Sequence, residues 1–201
     1  MKLYYSPGTC ALVPHIVANE AGIALDLVKV KLASKRTEDG SHYLDISPNG
    51  YVPALVLDDG RILTEASVLG QYLADLNPGS GLMPQAGTFE RYKVLQWLSF
   101  ISTELHKNYS PLFRSGMPEE VRAASRALLT QRFGYVETEL ADGPFLTGAT
   151  FTVADAYLWT VLGWARLVEF DISGFARLQH FMAEVAARPA VQRSLQEQGL
   201  V

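Results

Sequence analysis

The chain has 201 residues, 48% of them hydrophobic and 19% charged, with a net charge of −4 at neutral pH. That mixture is globular rather than disordered, and the acidic balance argues against a nucleic-acid partner, which needs a basic face. One cysteine excludes an internal disulfide and a thiolate-rich zinc site, and no run of about 18 apolar residues offers a membrane span.

Met1 and Lys2 lead straight into Leu3-Tyr4-Tyr5 without the apolar core of a signal peptide, so the expected compartment is the cytoplasm. Lys2 to Tyr5 reads as a short strand, broken by Ser6-Pro7-Gly8-Thr9. Cys10 follows at the start of a helix with Leu12, Ile16 and Val17 on one face; Pro14 fits its first turn and Gly22 its end. Two readings of Cys10 stand side by side. It is a small buried hydrophobe, or a reactive thiol whose pKa the unpaired helix amides lower. No second cysteine follows in a C-x-x-C pattern, so a redox cycle would borrow its second thiol from a small molecule.

Ala24 to Leu32 alternates Val28, Val30 and Leu32 with Lys29 and Lys31, a half-buried strand that completes a βαβ unit. Lys35 lies in the polar stretch that follows, either solvated or reaching a ligand carboxylate. A short helix is predicted over His42 to Asp45, and Val52-Pro53 is a candidate cis bond directly before a strand at Ala54 to Leu57. If cis, Val52 turns its own N–H and C=O towards a peptide-like ligand. Asp59-Gly60 predicts a hairpin turn into a strand at Arg61 to Thr64. Glu65-Ala66-Ser67 then opens a helix with the apolar stripe Val68, Leu69, Tyr72, Leu73 and Leu76. Free N–H groups of Ala66 and Ser67 favour a carboxylate, and Glu65 beside them can hold an ammonium. Together they would suit an α-amino acid group. The plainer reading is a hairpin followed by an amphipathic helix, with Glu65 merely favourable against the helix dipole.

Asn77 to Gly81 reads as an interdomain linker, giving domains at 1–78 and 86–201. Beyond it strand alternation ends. Phe89 to Tyr109 is one long helical pattern, apolar on most sides (Tyr92, Val94, Leu95, Trp97, Leu98, Ile101, Leu105) and expected at the centre of a bundle. Glu119 to Leu140 is a second helix. Thr152 to Asp155 is a capping box, with Phe151 placed to staple it, and starts a helix from Ala154 to about Val168. Phe175 to Ala187 and a short Ala190 to Gln196 helix close an all-helical domain. His106 is a satisfied buried group or one member of a cleft, with Thr103 three residues before it on the same helix face. A neutral imidazole can accept a thiol proton; an imidazolium can stabilise a thiolate. His15, His42 and His180 are read as structural or surface residues.

The segments K-L-Y-Y-S-P-G-T-C-A-L-V-P-H-I, G-Y-V-P-A-L, T-E-A-S, E-L-H-K-N-Y-S-P-L and F-T-V-A-D-A-Y together resemble the bacterial beta-class glutathione S-transferases over the full chain. The resemblance implies an α/β thioredoxin-like N-terminal domain that binds glutathione and an all-α C-terminal domain contributing the second-substrate site. It places Cys10 on the glutathione sulfur, Val52 and cis-Pro53 on its cysteinyl unit, Glu65 and Ala66 on its γ-glutamyl group and Lys35 on its glycyl carboxylate. It places His106 and Lys107 near the sulfur, and Ser99 and Thr103 where relatives reach the ligand, partly across a dimer. Ala66 stands where many relatives have Ser, and Ser99 where they often have Asn. Thr152 and Asp155 are implied to be folding residues. Tyr5, Ser6 and Thr9 are the fallback hydroxyls should Cys10 not meet the sulfur.

The implied activity is conjugation of the glutathione thiolate to small hydrophobic electrophiles in a cytoplasmic homodimer. Glutathione serves as substrate, without a cofactor, metal, nucleic acid or membrane. Glutathione-dependent thiol–disulfide exchange through Cys10, promoted by a lowered thiol pKa, is the expected second chemistry. The rival readings are a non-catalytic glutathione-binding protein and a specialised isomerase or dehalogenase. Retention of Cys10, Pro53 and Glu65 favours an enzyme.

Overall fold

A computed structural model describes residues 1–201 and divides them into two compact units, Met1–Met83 with Arg188–Val201, and Pro84–Ala187. In the first unit, β1 (Lys2–Tyr5) lies at the centre of a five-stranded sheet of order β3-β2-β1-β4-β5. β2 (Asp26–Lys31) pairs with β1 in parallel, Leu3 opposite Leu27, after the crossover helix α1 (Leu12–Glu20). β4 (Ala54–Val56) runs antiparallel to β1 with Leu3 opposite Leu55, and β5 (Ile62–Thr64) returns against β4. A parallel pair extended by an antiparallel hairpin, covered by α1 and α2 (Ala66–Leu76), is the thioredoxin-like plan. Its buried seam is made by Leu3, Ile16, Val17, Leu55, Leu69 and Leu73.

Two expectations for this unit change. The polar stretch after β2 forms a further edge strand, β3 (Arg36–Thr37), antiparallel to β2; its two residues are too few to show alternation. In α2 only Leu69 and Leu73 of the predicted stripe are fully buried, whereas Val68 and Leu76 are exposed. The buried face runs through Ala66, Leu69, Gly70, Leu73 and Ala74, so small residues share the packing and the predicted stripe is narrower than its apolar residues suggest.

The second unit is all helical: α3 (Phe89–Phe100), a π-helical segment Ile101–His106, α4 (Lys107–Phe113), α5 (Glu119–Glu139), α6 (Val153–Leu162) and α7 (Ala176–Ala186). The long pattern from Phe89 is thus one continuous path with a wider turn in its middle. It is not buried all round: Val94, Trp97, Leu98, Ile101 and Leu105 are enclosed, but Phe89 and Tyr92 are exposed. α6 is buried along its whole length, and the chain beyond it tightens to a 3₁₀ turn at Gly163–Val168, ending the predicted helix early. Asp155 starts α6 by accepting hydrogen bonds from the N–H groups of Thr152 and Leu146 and from the Thr152 hydroxyl, each at 2.8 Å. Burial nevertheless pushes its carboxyl up to about 6.

The last helix, α8 (Pro189–Glu197), was expected within the helical domain at 86–201; it packs instead on α1 in the first unit. The cause is a polar seam invisible to local patterning. Arg188 grips Glu20 at 2.6 and 2.9 Å, and Asn19 donates to the Ser194 hydroxyl at 2.9 Å.

Candidate functional site

In the first unit the turn that carries Cys10 opens on α1. Cys10 donates through Sγ to the carbonyl of Val52 at 3.4 Å, joining two segments 42 residues apart. The helix does not activate this thiol as the sequence suggested. The Ala11 amide donates to Thr9 Oγ1, that of Leu12 to the Thr9 carbonyl and that of Val13 to the Cys10 carbonyl, so the first-turn donors are already engaged. Burial outweighs the lowering by the Cys10 backbone amide and, with the Glu65 charge adding to it, pushes the thiol up to about 12. Cys10 is a protonated hydrogen-bond donor at neutral pH, and the expectation of a lowered pKa is corrected.

Val52-Pro53 is cis, and Val52 is buried. The loop before it is held by side chains that sequence reading did not single out. Tyr43 Oη donates to the Tyr51 carbonyl at 2.6 Å, and Ser47 Oγ donates to the same oxygen at 3.3 Å. Both sit in the 3₁₀ turn and loop after His42, where no motif marks them. Lys35 adopts a left-handed backbone, φ 53°, and its ammonium donates to the Gly50 carbonyl at 2.7 Å, 5.8 Å from the centre of the exposed Tyr51 ring. It is anchored beside Val52 rather than freely solvated.

Glu65 immediately precedes α2 with φ 70°, a conformation few residues with a Cβ adopt. Its side chain makes no capping bond, so the amides of the first turn are not occupied by the usual N-cap oxygen. Glu65 is exposed while Ala66 is buried. An exposed carboxylate beside uncapped helix amides offers an ammonium site next to a carboxylate site.

In the second unit Ser99, Thr103, His106 and Lys107 follow one another along α3, the π segment and the start of α4. Thr103 donates to the Ser99 carbonyl at 3.0 Å and is exposed. His106 is half-buried, sharing a 2.7 Å hydrogen bond between Nδ1 and Tyr157 Oη, with the Trp164 ring edge-on at 4.7 Å. The π turn bonds i to i+5, so residues three apart no longer stack as they would in an α-helix. Thr103 and His106 therefore do not share a face in the way the spacing suggested. Single-turn π insertions are frequent at functional sites, and sequence periodicity does not reveal them.

Desolvation, reinforced by the Lys107 charge, lowers His106 to about 4. The neutral imidazole is therefore the form present at pH 7, which removes the imidazolium role, and a pKa near 4 also makes the ring a weak acceptor of a thiol proton. The unfolded chain takes up this proton first on acidification, so the stability it contributes is full above about 6.5 and fades as pH falls to about 4. That window corresponds to roughly 3 kcal/mol. Urea unfolding at pH 7 and pH 4 should show the parent losing about that much more stability than His106→Asn; equal losses would contradict the buried neutral histidine.

Residues 8–76 match the glutathione S-transferase N-terminal domain family and residues 119–193 the C-terminal domain family. Glutathione S-transferase GstA of Escherichia coli O157:H7 is 46% identical over 200 residues, covering all of both chains. The chain belongs to the glutathione S-transferase family. The ternary complex of BphK, a bacterial GST, superimposes with a TM-score of 0.98 at 51% identity over the whole of both chains. Two sphingomonad transferases, the beta-class enzyme of Sphingomonas chungbukensis and one complexed with glutathione, each give 0.96 at 42% and 41% identity with full coverage of both chains. Within the family this chain is of the bacterial beta class. No helix is long and apolar enough to cross a membrane, and no three His, Cys, Asp or Glu residues are grouped to hold a metal ion.

Proposed function

We propose that the Cys10–Val52–Glu65 cluster holds glutathione, with the thiol of Cys10 donating to its sulfur. As a glutathione S-transferase, the protein conjugates the glutathione thiol to electrophiles, with glutathione as substrate and no cofactor. The observation that carries the site reading is the Cys10 Sγ contact to the Val52 carbonyl at 3.4 Å, which puts the thiol beside the backbone of the residue before cis-Pro53. A cysteinyl unit paired with the Val52 backbone brings its own sulfur to Cys10. Glu65 and the Ala66 and Ser67 amides then take the γ-glutamyl ammonium and carboxylate, and Lys35 takes the glycyl carboxylate.

The chemistry follows from the two perturbed groups. A thiol that stays protonated can donate to a neighbouring thiolate without competing with it for charge. Each unit by which such donors lower the glutathione pKa is about 1.4 kcal/mol in favour of thiolate. The thiolate lone pair forms the new S–C bond, the leaving group departs with its bonding electrons, and the thiol proton passes to solvent. His106, with a pKa near 4, would hold a thiol proton poorly and is not assigned a base role. The expected second substrates are small hydrophobic electrophiles. The parent should be retained on immobilised glutathione and released by the free tripeptide; passage through the column would overturn the reading.

The working form is a cytoplasmic homodimer, in which Ser99 and Thr103 approach the neighbouring subunit's glutathione. Light scattering at micromolar concentration should give about twice the 22.1 kDa chain mass, and a monomer mass would reject it.

A further inference from the structure

The C-terminal residues reach the turn that carries Cys10, and a run of polar atoms with one internal direction connects them. The Gly8 N–H can only donate, and the atom it meets at 3.3 Å is Gln198 Oε1. The amide nitrogen of Gln198 is thereby turned to His15 Nδ1, 3.1 Å away, which must accept. The proton of the neutral ring then sits on Nε2 and is donated to Glu197 Oε2 at 2.7 Å. Arg193 completes the row, donating to the other oxygen of Glu197 at 2.8 Å. Gln198 and His15 are both buried, 4% and 2% exposed, and burial lowers the His15 pKa, in keeping with the neutral ring.

Leu200 bounds the space above the same glycine. Gly8 is left-handed, φ 72°, and a Cβ there would lie 3.7 Å from Leu200 Cδ2. The turn beyond it is tied internally: the Thr9 hydroxyl donates to the Ser6 carbonyl at 2.7 Å, and the Leu12 amide to the Thr9 carbonyl at 3.0 Å. Gly8 and Cys10 thus lie two residues apart in one internally tied turn.

We propose that Gln198 is a positioning residue for the reaction at Cys10. The C-terminal tail holds the Ser6–Cys10 turn through Gly8, and His15 fixes which way the Gln198 amide faces. The proposal rests on Cys10 being the sulfur site. Its function is to seat the thiol on the Val52 carbonyl and keep the turn ready for the ligand; the residue responsible lies 190 positions away in sequence.

The test compares Gln198→Leu, Gln198→Glu and Ser194→Ala. Ser194 bonds Asn19 across the same helix pair but does not touch the turn, so its variant loosens packing alone. Alkylation of Cys10 by iodoacetamide, followed by mass, requires no glutathione and reads the turn directly. Losing one neutral hydrogen bond should make alkylation of Gln198→Leu about fivefold faster and raise KM for glutathione about fivefold, with kcat little changed. Gln198→Glu should return both values towards the parent, because its carboxylate still accepts from Gly8 while His15 takes a proton between Glu197 and the new carboxylate. Parent-like alkylation in Gln198→Leu, or equal acceleration in Ser194→Ala, would overturn the proposal. Failure of the glutathione reading is seen separately, as a parent that does not bind immobilised glutathione.

Discussion

Glu65→Ala should abolish retention on immobilised glutathione while leaving the chain folded. The α-ammonium of the γ-glutamyl unit would face a site with no anion, and a lost hydrogen bond to a charged group costs about 1.5–3 kcal/mol, or ten- to more than a hundredfold in affinity. The fold should tolerate the change, because Glu65 is exposed and its side chain makes no capping bond. Glu65→Gly sharpens the test. Glycine accepts φ 70° without the penalty a Cβ brings, so that variant should be at least as stable as Glu65→Ala and equally unable to bind. A strained backbone kept only for structure would give the opposite pattern, with binding restored by glycine. Retention unchanged in either variant would sink the amino-acid reading of this helix start.

The sequence shows some of this site and hides the rest for physical reasons. Pro53, Glu65 and Cys10 were readable because each is an unusual residue at a strand or helix boundary, and boundaries follow from local pattern. The order β-α-β-α-β-β-α was readable likewise, from alternation, the Asp59-Gly60 turn and the α2 stripe, with the second helix a 3₁₀ turn and the edge strand β3 unseen. What remained hidden depends on contacts between distant segments. The Ser194 and Glu197 face of α8 offers nothing in its own periodicity to show that α1 is its partner. The π segment at Ile101–His106 leaves the apolar spacing of α3 nearly intact, yet it turns Thr103 outward and His106 towards Tyr157. The Cys10 pKa was misjudged because helix position was visible and the burial of the thiol was not.

Cys10→Ala should remove thiol–disulfide exchange completely while reducing conjugation only in part, and Cys10→Ser should separate the two further. In exchange the Cys10 thiolate attacks the disulfide of a glutathione mixed disulfide and expels the partner thiol, leaving Cys10 bonded to glutathione. With no second cysteine in the chain, a second glutathione must attack that adduct, releasing Cys10 and oxidised glutathione. Each turnover thus consumes one free glutathione, turns the mixed disulfide into a free thiol and oxidised glutathione, and only a sulfur at position 10 can carry it. Conjugation asks less of this residue, because glutathione brings its own nucleophile and needs only a donor. Serine supplies an O–H, so Cys10→Ser should keep more conjugation than Cys10→Ala. The thiol at about 12 adds a pH signature. Thiolate increases tenfold per pH unit below the pKa, so the oxidised-glutathione adduct on Cys10 should form slowly at pH 7 and about a hundredfold faster at pH 9. Mass spectrometry of the parent over that range, beside both activities in the two variants, decides the role. Rapid adduct formation at pH 7 would show a thiolate at rest and remove Cys10 as the donor. Full exchange activity in Cys10→Ala would place the redox chemistry elsewhere.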